Sequence, residues 1–575
     1  MSSTDSTAVA THHNHDVEED NDEHLQLERK MTQAVDEGHD ADIPSSAGYV
    51  LDDANNLKRL QSIENHRMRQ SNANAEGQTD RDIEKGEPLG RTKTNNNEDD
   101  DPNIVWWDGE DDPENPYNWS TTLKVLNCGC VSFQTFISPL ASSIFAPGVP
   151  LVLAEFHSTS LEIATFVVSV YLLGFAAGPL LIAPLSEIYG RVPIYHACNI
   201  GFVAFSIGCA LAPSLNTLIA FRFLAGLFGV APVSNGGGTV ADMIPQKQRG
   251  AVLAVFSIGP LLGPIIGPIA GGFLSSAKGW RWNFWLLAII SGFITIFMVF
   301  AMKESYAPVI LQRKALRLRK ETGNNLLRSK LDIGLSPSDF FKRSAIRPVK
   351  MFIFSPIILI MALYTALTYG YLYVQFTTMT EVFQKQYGFS TALVGLSFLG
   401  LGVGSFIGVI IYSTTSDKYT SKKAAEADKL AEETGAEKQG MKPEYRLPLL
   451  PLGSVCIPIG LFIYGWTAQY KVHWIVPIIG TAIGGIGNIL VFFSIQTYLV
   501  DAFTIYAASA LASNTIIRSV AGAVLPLAGL QLYERLGYGW GNSLLGFIAI
   551  LFLPVSFIIL KYGELLRKKY PIKNL

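Results

Sequence analysis

The chain has 575 residues, 49% of them hydrophobic, and a mean hydropathy of +0.26. Its formal net charge of −3 is a cancellation: residues 1–123 hold 29 acidic and 10 basic side chains, and the remaining 452 hold 19 and 35. The first part is too polar to offset the entropy of ordering, and the second is too apolar for one soluble domain.

Residues 1–103 read as a disordered, acidic, cytosolic tail, with "VEEDNDE" and "TNNNEDDD" its most biased stretches. No basic segment followed by an apolar run opens the chain, so no cleaved signal peptide is expected. His12, His13 and His15 fit a solvated tail better than a metal site. Asn118-Trp119-Ser120 matches a glycosylation sequon, on a side of the membrane where it would not be used. Cys128, Cys130, Cys198, Cys209 and Cys456 all fall in apolar stretches, with neither a disulfide framework nor zinc spacing.

From residue 124 onward, twelve stretches are apolar and long enough to cross a bilayer. They lie at 124–148, 162–183, 193–213, 217–238, 250–274, 283–302, 350–374, 391–413, 447–468, 473–499, 507–531 and 540–561. Spans 1 to 6 form a half over 104–302 and spans 7 to 12 a half over 350–561. A cytosolic linker (303–349) joins them, and a basic cytosolic tail (562–575) follows. Lipid leaves only helices to satisfy so many backbone groups, so the fold class is an all-α membrane bundle. With the N-terminal tail inside, inner segments carry 27 Lys and Arg and outer ones 5, which places both termini in the cytosol.

Only two charges sit well inside spans, Arg222 in span 4 and Arg518 in span 11. A buried arginine is costly in hydrocarbon and marks a wet cavity or a structural pairing. Span 5, "GAVLAVFSIGPLLGPIIGPIAGG", repeats glycine every four residues at Gly259, Gly263, Gly267 and Gly271, a bare stripe on which another helix can dock closely. Pro260, Pro264 and Pro268 form a parallel stripe that should bend the helix. The stripe is either a packing surface or a face that seals against the other half. In the linker, "APVILQRKALRLRKETGN" reads as a basic amphipathic helix lying on the membrane, with Leu311, Ala315 and Leu318 on one face.

The two halves repeat. Gly174, Gly178 and Glu187 recur 230 residues later as Gly404, Gly408 and Asp417, and Asp242 recurs 259 residues later as Asp501. The difference of 29 matches a charged insert near 420–448. Such duplication is a mark of membrane carriers.

Five motifs in order resemble the major facilitator superfamily (MFS), in particular the fungal twelve-span drug:proton antiporters. They are "GPLLIAPLSEIYGRVP" after span 2, "LIAFRFLAGLFG" with Arg222 and Gly226, and Gly250, Gly259, Gly263, Pro264 and Gly267 in span 5. "WRWNFW" and "ESYAPVILQRKA" complete the set. The resemblance covers residues 104–575 and implies two pseudo-symmetric six-helix halves. It implies proton-coupled efflux by alternating access, with Arg222 in proton coupling and the span 5 motif marking an antiporter. It also implies that Arg191 pairs with Asp242 while Glu187 faces the start of span 11, latching the halves. The segment between spans 8 and 9 lacks the Gly-Arg of "YGR", so no equivalent latch is expected there.

Candidate cavity residues are Gln134, Tyr171, Tyr369, Tyr371, Tyr373, Gln375, Asn488, Phe492, Gln496 and Asn514, a lining that suits hydrophobic or cationic compounds. No carboxylate lies mid-span to carry the proton; Glu155, Glu162 and Glu381 are the nearest. No cofactor or metal is expected, a proton gradient supplying the drive. The expected partners are a small-molecule substrate and the lipid of the plasma or vacuolar membrane, with no nucleic acid and a monomeric chain. A polyamine or organic-ion exporter and a non-transporting nutrient sensor are the alternatives. An enzyme is discounted because His157, His196 and His473 stand isolated at span ends, and no phosphate-binding loop is present.

Overall fold

The computed structural model describes residues 103–109, 111–332, 334–434, 442–503 and 506–569. The acidic tail up to 102 and residues 570–575 lie outside them, so the expectations placed there stay expectations.

The helices follow the sequence pattern closely. Span 1 is Thr121–Ser143, span 2 Leu161–Tyr189 and span 3 Arg191–Ala210. Span 4 has two pieces, Leu215–Gly229 and Ala231–Met243, broken just before Pro232. Span 5 is Gln246–Lys278 and span 6 Arg281–Ala301. Despite three interior prolines, span 5 is one unbroken helix. In the second half, span 7 is Pro356–Tyr387, and span 8 is Thr391–Ser397 with Leu399–Thr434. Span 9 is Leu450–Gln469 and span 10 Ile475–Phe503. Serines fix several starts: the Oγ atoms of Ser160, Ser214 and Ser355 each accept an amide N–H from the first turn of spans 2, 4 and 7.

The last membrane stretch, Ala507–Arg567, runs for 61 residues. At roughly 1.5 Å per residue that is about three times a bilayer core, so it must hold two crossings. The break is at Gly537, whose φ of 74° no helix admits, and spans 11 and 12 lie on either side of it. Span 7 starts later than the predicted residue 350. Residues 350–354 end a separate helix, Pro337–Phe354, which stops at Ser355 because Pro356 opens the next one.

The linker helix is present at Ala307–Thr322, but its apolar face is covered by protein rather than left for lipid. Leu311 and Ala315 are buried. The segment before span 1 packs here: Ile104–Val105 pairs in parallel with Arg328–Ser329, and Lys314 Nζ lies 2.6 Å from Asp108 and 3.4 Å from Asp112.

The repeated glycines make the same contact in both halves. A Cβ on Gly178 would meet the Leu227 carbonyl of span 4 at 3.1 Å, and one on Gly408 the Ile486 carbonyl of span 10 at 3.1 Å. Gly226 in turn abuts Tyr171, and Gly485, 259 residues on, abuts the Leu401 carbonyl. One apolar cluster fills the first half and takes in Tyr373, Phe376, Phe383, Val394, Phe398 and Ala523 from the second. The halves therefore share a core at the face opposite the linker.

Candidate functional site

Chain geometry builds the linker-side cluster first. Gly190 joins spans 2 and 3 with a φ of 104°, and any side chain there would strike the Glu304 carboxylate. That carboxylate accepts N–H groups from Arg191 (2.9 Å), Val192 (3.1 Å), Ser305 (3.1 Å) and Tyr306 (3.0 Å). It thus sits at the positive end of span 3. The Arg191 guanidinium is held from three sides: Nε lies 3.2 Å from Asp242, one Nη donates to Ser186 Oγ at 2.7 Å, and the Tyr306 ring lies 4.6 Å away. The expected Arg191–Asp242 pair is formed and buried. In the sequence, Glu304 and Tyr306 stand out only as part of "ESYAPVILQRKA", an acid-then-aromatic spacing just after span 6.

Glu187 stands apart from that pair. It shares a cleft with Ala508, Ser509 and Ala512 at the start of span 11, as the resemblance implied. Arg343 and Arg347 from the helix before span 7 line the same cleft, and sequence reading did not assign them.

The second half has its ion pair after all. Arg446, just before span 9, reaches Asp501 at 2.9 Å and Asp417 at 2.5 Å. The Gly-Arg is missing after span 8 because span 8 runs on as helix to Thr434, and the arginine arrives only when the chain returns. The insert hid the correspondence.

Arg222 is 1% exposed. Its guanidinium donates to the carbonyls of Ala141 (2.9 Å) and Ser142 (3.3 Å) at the end of span 1, and of Val167 (3.1 Å) and Val168 (3.0 Å) in span 2. Phe145, Tyr171 and Phe284 surround it. Its hydrogen bonds tie three spans of one half together, and no carboxylate pairs with it among the described residues.

The span 5 glycine stripe docks on span 1, within its own half. A Cβ on Gly259 would lie 3.0 Å from the Ser132 carbonyl, on Gly263 2.8 Å from Leu140 N and Phe136 O, and on Gly267 3.0 Å from Ile144 N. Gly271 abuts the Ile144 backbone. The neighbouring face of span 5 is the one that meets the other half. There a Cβ on Gly272 would lie 2.8 Å from the Thr391 carbonyl, and one on Gly395 2.6 Å from the Pro268 carbonyl. A bare stripe shows that two backbones touch; it does not show which two. Side chains of residues 246–251, Gly250 of the motif included, lie outside the described ones.

The cavity candidates separate. Tyr171 donates to Ser138 O at 3.0 Å inside the first half, and Tyr371 donates to Leu545 O at 2.9 Å between spans 7 and 12. Tyr373 shares a 2.8 Å hydrogen bond with Ser142 across the halves, near Thr380, which donates to Ala146 O at 3.4 Å. Glu162 and Gln531 also bond across this face. Between spans 7, 10 and 11 a second set converges. Tyr369 and Phe492 flank Arg518 at 5.0 and 5.1 Å, Asn514 donates to Gln496 at 3.4 Å, and Gly484 opens beside Gln375. Asn488 is half-buried on the same span as Phe492 and Gln496. In the first half, Gln134 Nε2 in span 1 and Asn235 Nδ2 in span 4 are buried without a hydrogen-bond partner. Asn235 went unassigned, although it is the one amide in "VSNGGG". None of the three carboxylates nearest the spans reaches inward: Glu155 is held by Arg281 and Trp280, Glu162 by Ser160 and Gln531, and Glu381 by Lys385.

A duplicated helical bundle with polar groups buried inside both halves has the build of a membrane carrier. Residues 131–526 match the Major Facilitator Superfamily, and the chain belongs to that family. It is 54% identical over 470 residues to MFS-type transporter tndD of Aspergillus flavipes, covering 82% of this chain and 86% of that one. It is 51% identical over 467 residues to efflux pump radE of Floropilus chiversii, covering 81% and 85%. The xylose transporter XylE of E. coli, solved partially occluded and inward open, superposes with a TM-score of 0.57 at 15% identity, over 77% of this chain and 98% of that one. At that identity the likeness speaks for the fold alone. The protein is a multi-pass membrane transporter.

Proposed function

We propose that this transporter exports small, largely hydrophobic organic compounds from the cytosol by alternating access, driven by the proton gradient across the plasma membrane. The single observation that carries the reading is the closure of the two halves at one face. Gly395 on Pro268, Ser142 on Tyr373, Thr380 on Ala146 and Glu162 on Gln531 all bridge them at the face opposite the linker. With the basic linker in the cytosol, this face is the outer one, and its closure is the shut outer gate that an alternating-access cycle requires. The kinship with a named efflux pump supports the direction.

In this reading Arg191, Asp242 and Glu187 hold the linker-side ends during the swing, and Arg222 fixes spans 1, 2 and 4 as one rigid element. The glycine and proline motif of span 5 sets how closely spans 1 and 5 move together. The test is flux in vesicles carrying the full-length protein under an imposed pH gradient, screened with neutral and charged aromatic compounds. Gradient-dependent movement is the expected result. Binding without movement under any gradient would favour the sensor reading and end this one.

A further inference from the structure

We propose that the substrate is an organic anion, with Arg518 as its counter-ion; this deepens the export reading and rests on it. Arg518 is 8% exposed, and its Nε has no hydrogen-bond partner. No carboxylate forms an ion pair with it among the described residues. The contrast with Arg222 is direct: the other mid-span arginine spends its donors on four carbonyls, whereas Arg518 has only the faces of Tyr369 and Phe492. Aromatic faces attract a cation without neutralising it.

Each nearby acid is engaged elsewhere. Asp242 pairs with Arg191, Asp417 and Asp501 with Arg446, Glu155 with Arg281, and Glu381 with Lys385. Glu187 faces Arg343 and Arg347 in the linker-side cleft, and Glu162 bonds Ser160 and Gln531 at the opposite face. The space around Arg518 therefore carries one uncompensated positive charge. An intramembrane arginine with no protein counter-charge faces a water-filled cavity and marks a substrate path. A cationic substrate would be repelled, and a neutral one would leave the charge unpaired. A carboxylate or phenolate would accept the planar donor fork. One turn earlier on span 11, Asn514 Oδ1 is buried and also unpartnered, an acceptor suited to a hydroxyl on the same ligand. The two flanking rings favour an aromatic or otherwise flat apolar body. Rings and amides alone suggested hydrophobic or cationic compounds; the unpaired guanidinium reverses the sign of the charge.

The test compares three probes of one shape on the full-length protein: 2-naphthoate, 2-naphthamide and 2-naphthylmethylamine. Binding is measured by calorimetry in detergent, and export is measured in vesicles. The expected result is naphthoate binding at least tenfold tighter than the other two, with the preference lost in Arg518→Gln and partly kept in Arg518→Lys. Equal binding of all three, or preference for the amine, overturns the proposal with no variant needed. Anion-selective binding without export upholds this inference and overturns the export reading, so the two fail separately.

Discussion

Replacing Gly395 by alanine should wedge open the face opposite the linker. The added methyl would sit 2.6 Å from the Pro268 carbonyl and 3.3 Å from the Gly272 Cα, where ordinary contact begins near 3.4 Å. Both neighbours are backbone, so no rotamer change relieves the clash, and spans 5 and 8 must part by several tenths of an ångström. Overpacking of this kind costs about 1–3 kcal/mol. The cost falls only on the conformer in which the two spans touch, so the ratio of open to closed forms should rise about 5- to 150-fold. The readout is a single cysteine at Thr380, buried against Ala146 in the closed form, in a background without the five native cysteines. Its reaction with an impermeant maleimide in vesicles should accelerate at least fivefold in Gly395→Ala. Gly292→Ala is the control, since a Cβ there meets nothing within 4 Å. Unchanged labelling in a correctly folded Gly395→Ala protein would refute the argument that this contact holds the face shut.

Gly263→Ala should lower the thermal midpoint, at a cost of about 1–3 kcal/mol, without the rise in labelling, because Gly263 packs on span 1 inside its own half. A labelling change there would show that the stripe belongs to the moving interface. Arg191→Ala should destabilise by about 3–5 kcal/mol, since it strands a buried Asp242, whereas Arg446→Ala should cost less, about 1 kcal/mol, because both its partners, Asp417 and Asp501, reach solvent. Equal losses in denaturation would contradict the assigned burial. Burial pushes the Asp112 carboxyl up, but the amides of Asp108 and Glu114 and the charge of Lys314 outweigh it and hold it below the usual carboxylate range. Its contribution should be present above about pH 4 and vanish as pH falls through the lowered value. The difference in thermal midpoint between wild type and Asp112→Asn should therefore close on acidification, and a difference that persists at low pH would rule out the ionic contact.

What the sequence determined by itself was set by solvent and by periodicity. Lipid forces apolar runs into helices, so the spans and the duplication were legible from residues 124–561, while the Arg191–Asp242 pair came from the family resemblance of the loop after span 2. Even the position of Gly537 is a local matter, since a positive φ ends any helix. Partner choice was not local. Glycines at 259, 263, 267 and 271 announce a close approach, and only the packing shows that it is to span 1. Arg222 and Arg518 look alike in the chain; the fold surrounds one with four carbonyls and leaves the other between two rings. Arg446 answers Arg191 from beyond an insert that breaks the spacing. Tyr171 and Tyr371 read as cavity residues, and only the fold shows that their hydroxyls donate to the carbonyls of Ser138 and Leu545 on neighbouring helices. Which group meets which depends on how helices distant in sequence are rotated against one another, and that rotation is fixed only when the whole bundle packs.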